Sequence, residues 1–263
     1  MPDGLAIFAA HGIPWAEIHG YSAEEFDFSD RALVDTTVRA LDRLGLRVWS
    51  CHSPAGGPLD LASPDPVQRT RTLAAMQHAL HVTATLGARV FVCDAVGPDP
   101  APPAERTARR LWLADALAQL LEAATPLGCR VAIENHTREE GMFVTPDHFR
   151  DLVADRRLDE LGACWDTGHG WIESHRPEVA CRLGPRLLTL HIHDNDGRDD
   201  QHRLPTTGGI DWPPFIGGLA RMPYRGPFML ELAPPVPTTV DAIDRLVRDA
   251  VNVCARLLGV GSR

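Results

Sequence analysis

No stretch of this 263-residue chain approaches the ~20 consecutive apolar residues that a membrane-spanning helix requires. The opening segment MPDGLAIFAAHG lacks the basic start and small-residue cleavage site of a signal peptide, so the expected location is the cytoplasm, with no membrane partner. No CxxC pair occurs among the six cysteines, which removes zinc-ribbon and redox-motif readings. Cys51, Cys93, Cys129 and Cys164 fall in or beside apolar strand-like runs, and Cys181 and Cys254 in helix-like stretches, as expected of reduced and mostly buried thiols. Positive charge is also scarce. Against 35 Asp and Glu stand 26 Lys and Arg, leaving a formal net charge of -9 that would repel a phosphate backbone, so no nucleic-acid partner is expected. A Gly-rich phosphate loop is missing too, which disfavours a phosphorylated ligand.

What the chain does have is a globular balance, 44% hydrophobic and 23% charged, that supports a substantial core. Short apolar or β-branched runs alternate with longer Ala/Leu/Arg-rich stretches of helical spacing, the pattern of a parallel sheet covered by helices. Seven strand-like runs are expected: AEIH, LRVWSCH, ARVFVCD, RVAIE, LGACWD, LLTLH and FMLE, ending at His19, His52, Asp94, Glu134, Asp166, His191 and Glu231. Helices are expected over 31–44, 67–86, 104–127, 146–153 and 238–258, several stopped by a glycine such as Gly45, Gly87 or Gly128. Pro and Gly cluster over 53–66 and 97–103, directly after strand ends, which marks loops rather than linkers, and one domain spanning 1–263 is expected.

Nearly every run finishes in a metal-capable or acid/base residue. A doubly wound sheet concentrates its site at one switch point, whereas a closed α/β barrel brings all strand C-termini to one mouth, so a TIM-type (β/α) barrel fits better. One strand is short of the count. Residues 5–9, LAIFA, read as helix, with Asp3 as a candidate N-cap; read instead as a strand, they lie too close to AEIH for a crossover helix, which favours a barrel lacking its first strand. The resulting open seam needs cover, and a second copy in a homodimer could supply it.

Glu134, Asp166, His191 and Glu231 each close an apolar strand, in VAIEN, ACWDTGH, LTLHIHD and FMLEL. Charged groups there are costly to desolvate, and three carboxylates in one mouth repel one another unless a divalent cation compensates them. Three oxygen donors and one imidazole suit Mn²⁺, Co²⁺, Mg²⁺ or Zn²⁺. A second set surrounds them: His169 three residues after Asp166, Asp200 and His202 in DDQH, and His52 at another strand end, placed to orient a substrate or hold additional metal. His193 follows close on His191, and Arg198 stands in the same loop as a candidate for a substrate hydroxyl or carboxylate. His11, His78, His81, His136, His148 and His175 show no comparable placement and are expected to be structural or solvent-facing. Trp15, Trp49, Trp165, Trp171 and Trp212 lie near strands or the mouth, where most are expected to pack in the core and some could form apolar walls of the site.

The ordered motifs VAIENH, ACWDTGHGW, LHIHDNDGRDDQH with GGIDW, and FMLEL resemble the sugar phosphate isomerase/epimerase superfamily of xylose isomerase-like TIM barrels, which includes metal-dependent apurinic endonucleases. The resemblance runs from about residue 12 to the C-terminus. It implies a single divalent ion on Glu134, Asp166, His191 and Glu231, with the two glutamates exchanging the substrate proton and His169 contacting substrate. In the endonuclease branch, further zinc ligands fall on His52, His169, Asp200 and His202, but Cys93 and Asp94 stand where that branch has a second strand-end histidine. The family's Gly-Glu-Gly before IDW reads TTGG, Thr206 to Gly209, and the family's first strand is missing. The implied activity is isomerisation or epimerisation of a small carbohydrate or related keto/hydroxy compound through an enediolate. The rivals are a dehydratase or eliminase using the same base, then an apurinic endonuclease or an inactive homologue.

Overall fold

The computed structural model describes residues 2–20, 26–54, 59–94, 103–138 and 142–259. Six parallel strands pair strictly in chain order. They are β1 (Trp15–His19), β2 (Arg47–His52), β3 (Val90–Asp94), β4 (Arg130–Glu134), β5 (Gly162–Asp166) and β6 (Leu187–His191). Between and around them lie α1 (Pro2–Ala10), α2 (Arg31–Leu44), α3 (Pro66–Thr85), α4 (Pro103–Ala124), α5 (Pro146–Leu152), α6 (Thr167–Ile172), α7 (Trp212–Leu219) and α8 (Val240–Leu258).

Local chemistry sets these boundaries. Asp30 caps α2 by accepting from the N–H groups of Ala32 and Leu33, and Gly45 ends the helix at φ 67°, a left-handed turn that glycine adopts without a Cβ penalty. Asp65 and Thr239 cap α3 and α8 in the same way. Residues 5–9 are helical, as expected, although that helix begins at Pro2 and so takes in Asp3 rather than being capped by it.

The sheet curls on itself. Six strands at ~4.8 Å spacing would be about 24 Å across if flat. Yet Glu17 of β1 and His191 of β6 approach within 2.9 Å at the strand C-termini. The expected seventh strand is reduced to one parallel bridge, Ile192 with Leu230, in which Ile192 N–H donates to Met229 O at 2.8 Å and Glu231 N–H to Ile192 O at 3.1 Å. Pro227, Pro234 and Pro235 flank this segment and limit the ladder, because proline has no N–H to donate.

Two cores result. The larger lies between sheet and helices and includes Phe91, Cys93, Ile133, Trp165 and Leu190. The smaller is the barrel floor: Val90, Val92, Ala132, Cys164 and Leu188, with Trp49 packed on it. Trp49 and Leu188 are the residues skipped where the β1/β2 and β5/β6 registers shift, so each shift adds an apolar side chain to the floor.

Candidate active site at the strand C-termini

The polar layer sits one step above this floor. Along β3, Val90 and Val92 face the interior and Asp94 follows them; along β4, Ala132 precedes Glu134; along β5, Cys164 precedes Asp166. Period-2 alternation therefore delivers each terminal acid to the mouth. One ligand atom from each of Glu134, Asp166, His191 and Glu231 lies within 4.8 Å of every other. Asp166 and His191 are fully buried, Glu134 nearly so, and the Glu231 side chain is 21% exposed.

His191 sits at the centre. Its Nδ1 lies 3.0 Å from Glu134 Oε2 and 3.2 Å from Glu231 Oε2, and its Nε2 lies 2.9 Å from Glu17 Oε1. None of these contacts is directed along a hydrogen bond, so both ring nitrogens are buried without one, as is Glu231 Oε2. Orphaned buried ligand atoms beside three carboxylates fit a divalent ion, which needs lone pairs rather than N–H directions.

The second set is also brought in. His52 faces only acceptors: Nδ1–H points to Ser53 O at 3.0 Å and Nε2–H to Glu134 Oε2 at 3.1 Å. His169 donates Nδ1–H to Asn135 O at 2.9 Å, with Nε2 3.3 Å from Asp200 Oδ2. Asn135 also ties the ends of β4 and β5, accepting Asp166 N–H at 2.7 Å and donating to Asp166 O at 3.0 Å. His202 reaches Asp200 at 2.8 Å and stacks on His193 at 4.0 Å between centroids, while His193 Nε2 holds Asp166 Oδ2 at 2.9 Å. His193, Asp200 and His202 form a further group able to hold an ion. Arg198 stands exposed on this loop, its backbone N–H donated to Asp196 Oδ1 at 3.0 Å, and its guanidinium is not brought into the cluster's contacts.

These pairings shift the titrations. Burial penalises the Glu134 carboxylate, yet His191 and His52 hold it well below the usual range. Burial likewise opposes ionisation of Glu17, which His191, His52 and Ser50 nonetheless bring down to about 2. For His52, His169 and His191 burial disfavours the imidazolium, and the surrounding carboxylates outweigh it, raising all three well above 6.5. His202 is raised to about 9 against burial, mainly by its bond to Asp200. Protonated imidazoles thus balance the acids, a task one divalent ion can take over.

The structure corrects or adds to the expectations at several positions. His136, expected to be structural or solvent-facing, accompanies the cluster: its Nε2 lies 2.9 Å from Asp94 Oδ1, and it groups with Asp94 and Glu134 as a possible ion holder. Of Cys93 and Asp94, only Asp94 faces the mouth; Cys93 packs in the outer core, where burial pushes its thiol far up. Glu17 of β1 is not a strand end, and His19, which is one, is not among the expected site residues; yet Glu17 touches His191, and His19 Nε2 lies 3.1 Å from Glu231 Oε1. The tryptophans mostly take the expected core role: Trp165 and Trp212 are buried in the outer core, and Trp15 packs edge-on to Trp49 at 5.4 Å.

The TTGG departure has a structural role. Asp194, fully buried, accepts N–H from Asn195 (3.0 Å), Thr206 (2.9 Å) and Ile210 (3.1 Å) and the indole N–H of Trp212 (3.0 Å). A Cβ at Gly208 would lie 2.3 Å from Asp194 Oδ1, so the loop can close on this carboxylate only with glycine there.

A curled parallel sheet with helices outside it, and acids and histidines gathered at its strand ends, is the architecture of a TIM-type barrel. The chain belongs to the xylose isomerase-like TIM barrel family, whose model matches residues 5–249. Among solved structures, it is similar to a D-psicose 3-epimerase crystallised in the presence of D-fructose (TM-score 0.80, 18% identity, covering 97% of this chain and 93% of that one). It also resembles the IOLI protein with a bound zinc atom (TM-score 0.79, 17% identity, 97% and 92% covered). A Thermus thermophilus protein soaked with ZnCl2 is 25% identical (TM-score 0.76, 99% and 95% covered). The chain spans about a quarter to two fifths of the length of the curated relatives it matches, at 26 to 43% identity. Among the described residues, no helix is long and apolar enough to cross a membrane.

Proposed function

We propose that this protein is a divalent metal-dependent isomerase or epimerase acting on an unphosphorylated sugar or related keto/hydroxy compound. The carrying observation is the convergence of Glu134, Asp166, His191 and Glu231 with both His191 nitrogens left without directed hydrogen bonds. Those four residues would hold the ion. When bound, it supplies Lewis-acid polarisation of the substrate carbonyl and compensates the carboxylates.

The chain's own groups do the rest. Glu134 and Glu231 approach the centre from different strand ends, one more exposed than the other, so one carboxylate can take a C–H proton and the other return it. Return to the opposite face of the same carbon gives epimerisation, and return to the neighbouring carbon gives isomerisation. His169, whose Nδ1–H is held by Asn135 O, presents Nε2 to the mouth and can donate to a developing oxyanion. The chain has no lysine, so a Schiff-base route through its own residues is closed. The epimerase neighbour crystallised in the presence of D-fructose supports the substrate class, and the zinc-bound neighbour supports the ion.

The test is solvent deuterium incorporation into a panel of ketoses by the Mn²⁺- or Zn²⁺-loaded protein, with metal counted per chain. Exchange at a carbon next to the carbonyl supports the reading. Exchange accompanied by release of water or an aglycone assigns the chemistry to an eliminase instead, and no exchange with any metal refutes both.

A further inference from the structure

We propose that Glu17 is a positioning residue for the candidate metal centre: it takes the Nε2–H of His191, and so presents that ring's Nδ1 to the ion. The inference rests on reading Glu134, Asp166, His191 and Glu231 as the centre, and it adds a residue from the first strand, on the far side of His191.

The two faces of the His191 ring are distinct. Nδ1 is the nitrogen beside Glu134 Oε2 and Glu231 Oε2, at 3.0 and 3.2 Å, so it lies on the side where the four groups converge. Nε2 points the other way, to Glu17 Oε1 at 2.9 Å. A neutral imidazole can give one nitrogen to a cation only if the other carries the proton, and that N–H needs an acceptor when buried. His191 is fully buried, so the acceptor must come from the protein, and Glu17 is the carboxylate within reach of Nε2. The ring stands off the hydrogen-bond line to Glu17 and off the line to the other carboxylates alike. An ion held at Nδ1 would leave Nε2 as the protonated nitrogen, with Glu17 Oε1 2.9 Å away to accept it.

Glu17 is itself held for the task. Ser50 Oγ donates to its Oε2, which leaves Oε1 for His191. The β1/β2 register shifts between Ala16 and Glu17, pairing Glu17 with Ser50 rather than with Trp49. Shifts of this kind re-aim side chains near sites. A carboxylate in mid-strand, 8% exposed, is costly to bury, and its geometry serves His191 rather than the open mouth.

The experiment reads the ring directly. In the Zn²⁺-loaded full chain with ¹⁵N-labelled histidine, long-range ¹H–¹⁵N correlation should show His191 metal-bound at Nδ1 and protonated at Nε2. In Co²⁺ titrations followed by calorimetry and by the visible d–d bands, Glu17→Gln should weaken binding roughly 10- to 100-fold and shift the bands, the range typical for loss of an outer partner of a ligating histidine. Glu17→Asp, which keeps the charge but shortens the reach, should fall between. Metal on Nε2, or a Glu17→Gln chain that binds Co²⁺ within twofold of the parent with unchanged bands, overturns the proposal. If Glu17→Gln does not fold, the ring assignment in the parent decides alone. A parent chain that binds no Co²⁺ refutes the centre itself and this role with it, whereas binding through Nε2 refutes only the role.

Discussion

Asp194→Ala tests whether a single buried carboxylate holds the loop that brings Asp200 and His202 to the mouth. The Asp194 side chain takes four donors. Thr206 is exposed, so its N–H regains water when the carboxylate is removed, and Asn195 N–H is adjacent in sequence and can re-pair locally. Ile210 and Trp212 are 6% and 2% exposed, and their donors would be left dry. Two buried unsatisfied donors at ~1–3 kcal/mol each give an expected loss of about 2–6 kcal/mol. At ~2–4 °C per kcal/mol for a chain of this size, the melting temperature should fall by roughly 4–24 °C. Urea unfolding followed by circular dichroism measures the first quantity and a thermal scan the second. Asp194→Asn keeps one acceptor oxygen but turns an amide N–H₂ toward two donors, so it should recover no more than about half of the loss. A change below about 1 kcal/mol for Asp194→Ala would show that the loop is held by its backbone bridge to Arg203 instead, and the reasoning would fail.

Gly168→Ala should be destabilising by about 1–3 kcal/mol or more, because a Cβ there would sit 1.9 Å from Cε1 of the buried His193 ring, which Asp166 holds in place; an unchanged urea midpoint would contradict this. Glu231→Gln should lower ketose proton exchange by at least ~10²-fold and weaken Zn²⁺ binding, and full retention of exchange would remove Glu231 from the mechanism. For metal-stripped protein, adding Zn²⁺ or Mn²⁺ to about 100 times its dissociation constant should add about 2.7 kcal/mol, read as a rise of roughly 5–10 °C in a thermal scan, and no rise would argue against a folded-state site. Cys93→Ala should leave Zn²⁺ affinity unchanged, because the thiol faces the outer core; a loss of affinity without loss of fold would place it at the mouth after all.

The legible part of this fold is whatever repeats with a fixed period. Helix ends at Gly45, Gly87 and Gly128 are marked in the chain because a left-handed residue stops a helix, and these adopt φ of 67°, 75° and 68°. Strand ends at Glu134, Asp166 and His191 are visible because an ionisable residue closes an apolar run. FMLE, with the same look, makes only a single bridge, because its flanking prolines withhold donors that hydropathy does not register.

What the strand-end rule does not reach is anything one register away from it. His136 stands two residues beyond Glu134 and comes back to Asp94 through a loop whose path no local pattern specifies. The choice between Cys93 and Asp94 is in fact available from the chain: with Val90 and Val92 on the interior face, period 2 puts Asp94 inward and Cys93 outward. Glu17 is hidden for a different reason. In AEIH it reads as the polar half of an alternating edge strand, and only closure of the sheet, which sets β1 against His191 of β6, turns that solvent-like position into a dry one. A charged residue inside a parallel strand is therefore a signal conditional on closure: harmless in an open sheet, and a positioning group in a curled one, where a partner from the opposite end of the sheet must offset its desolvation.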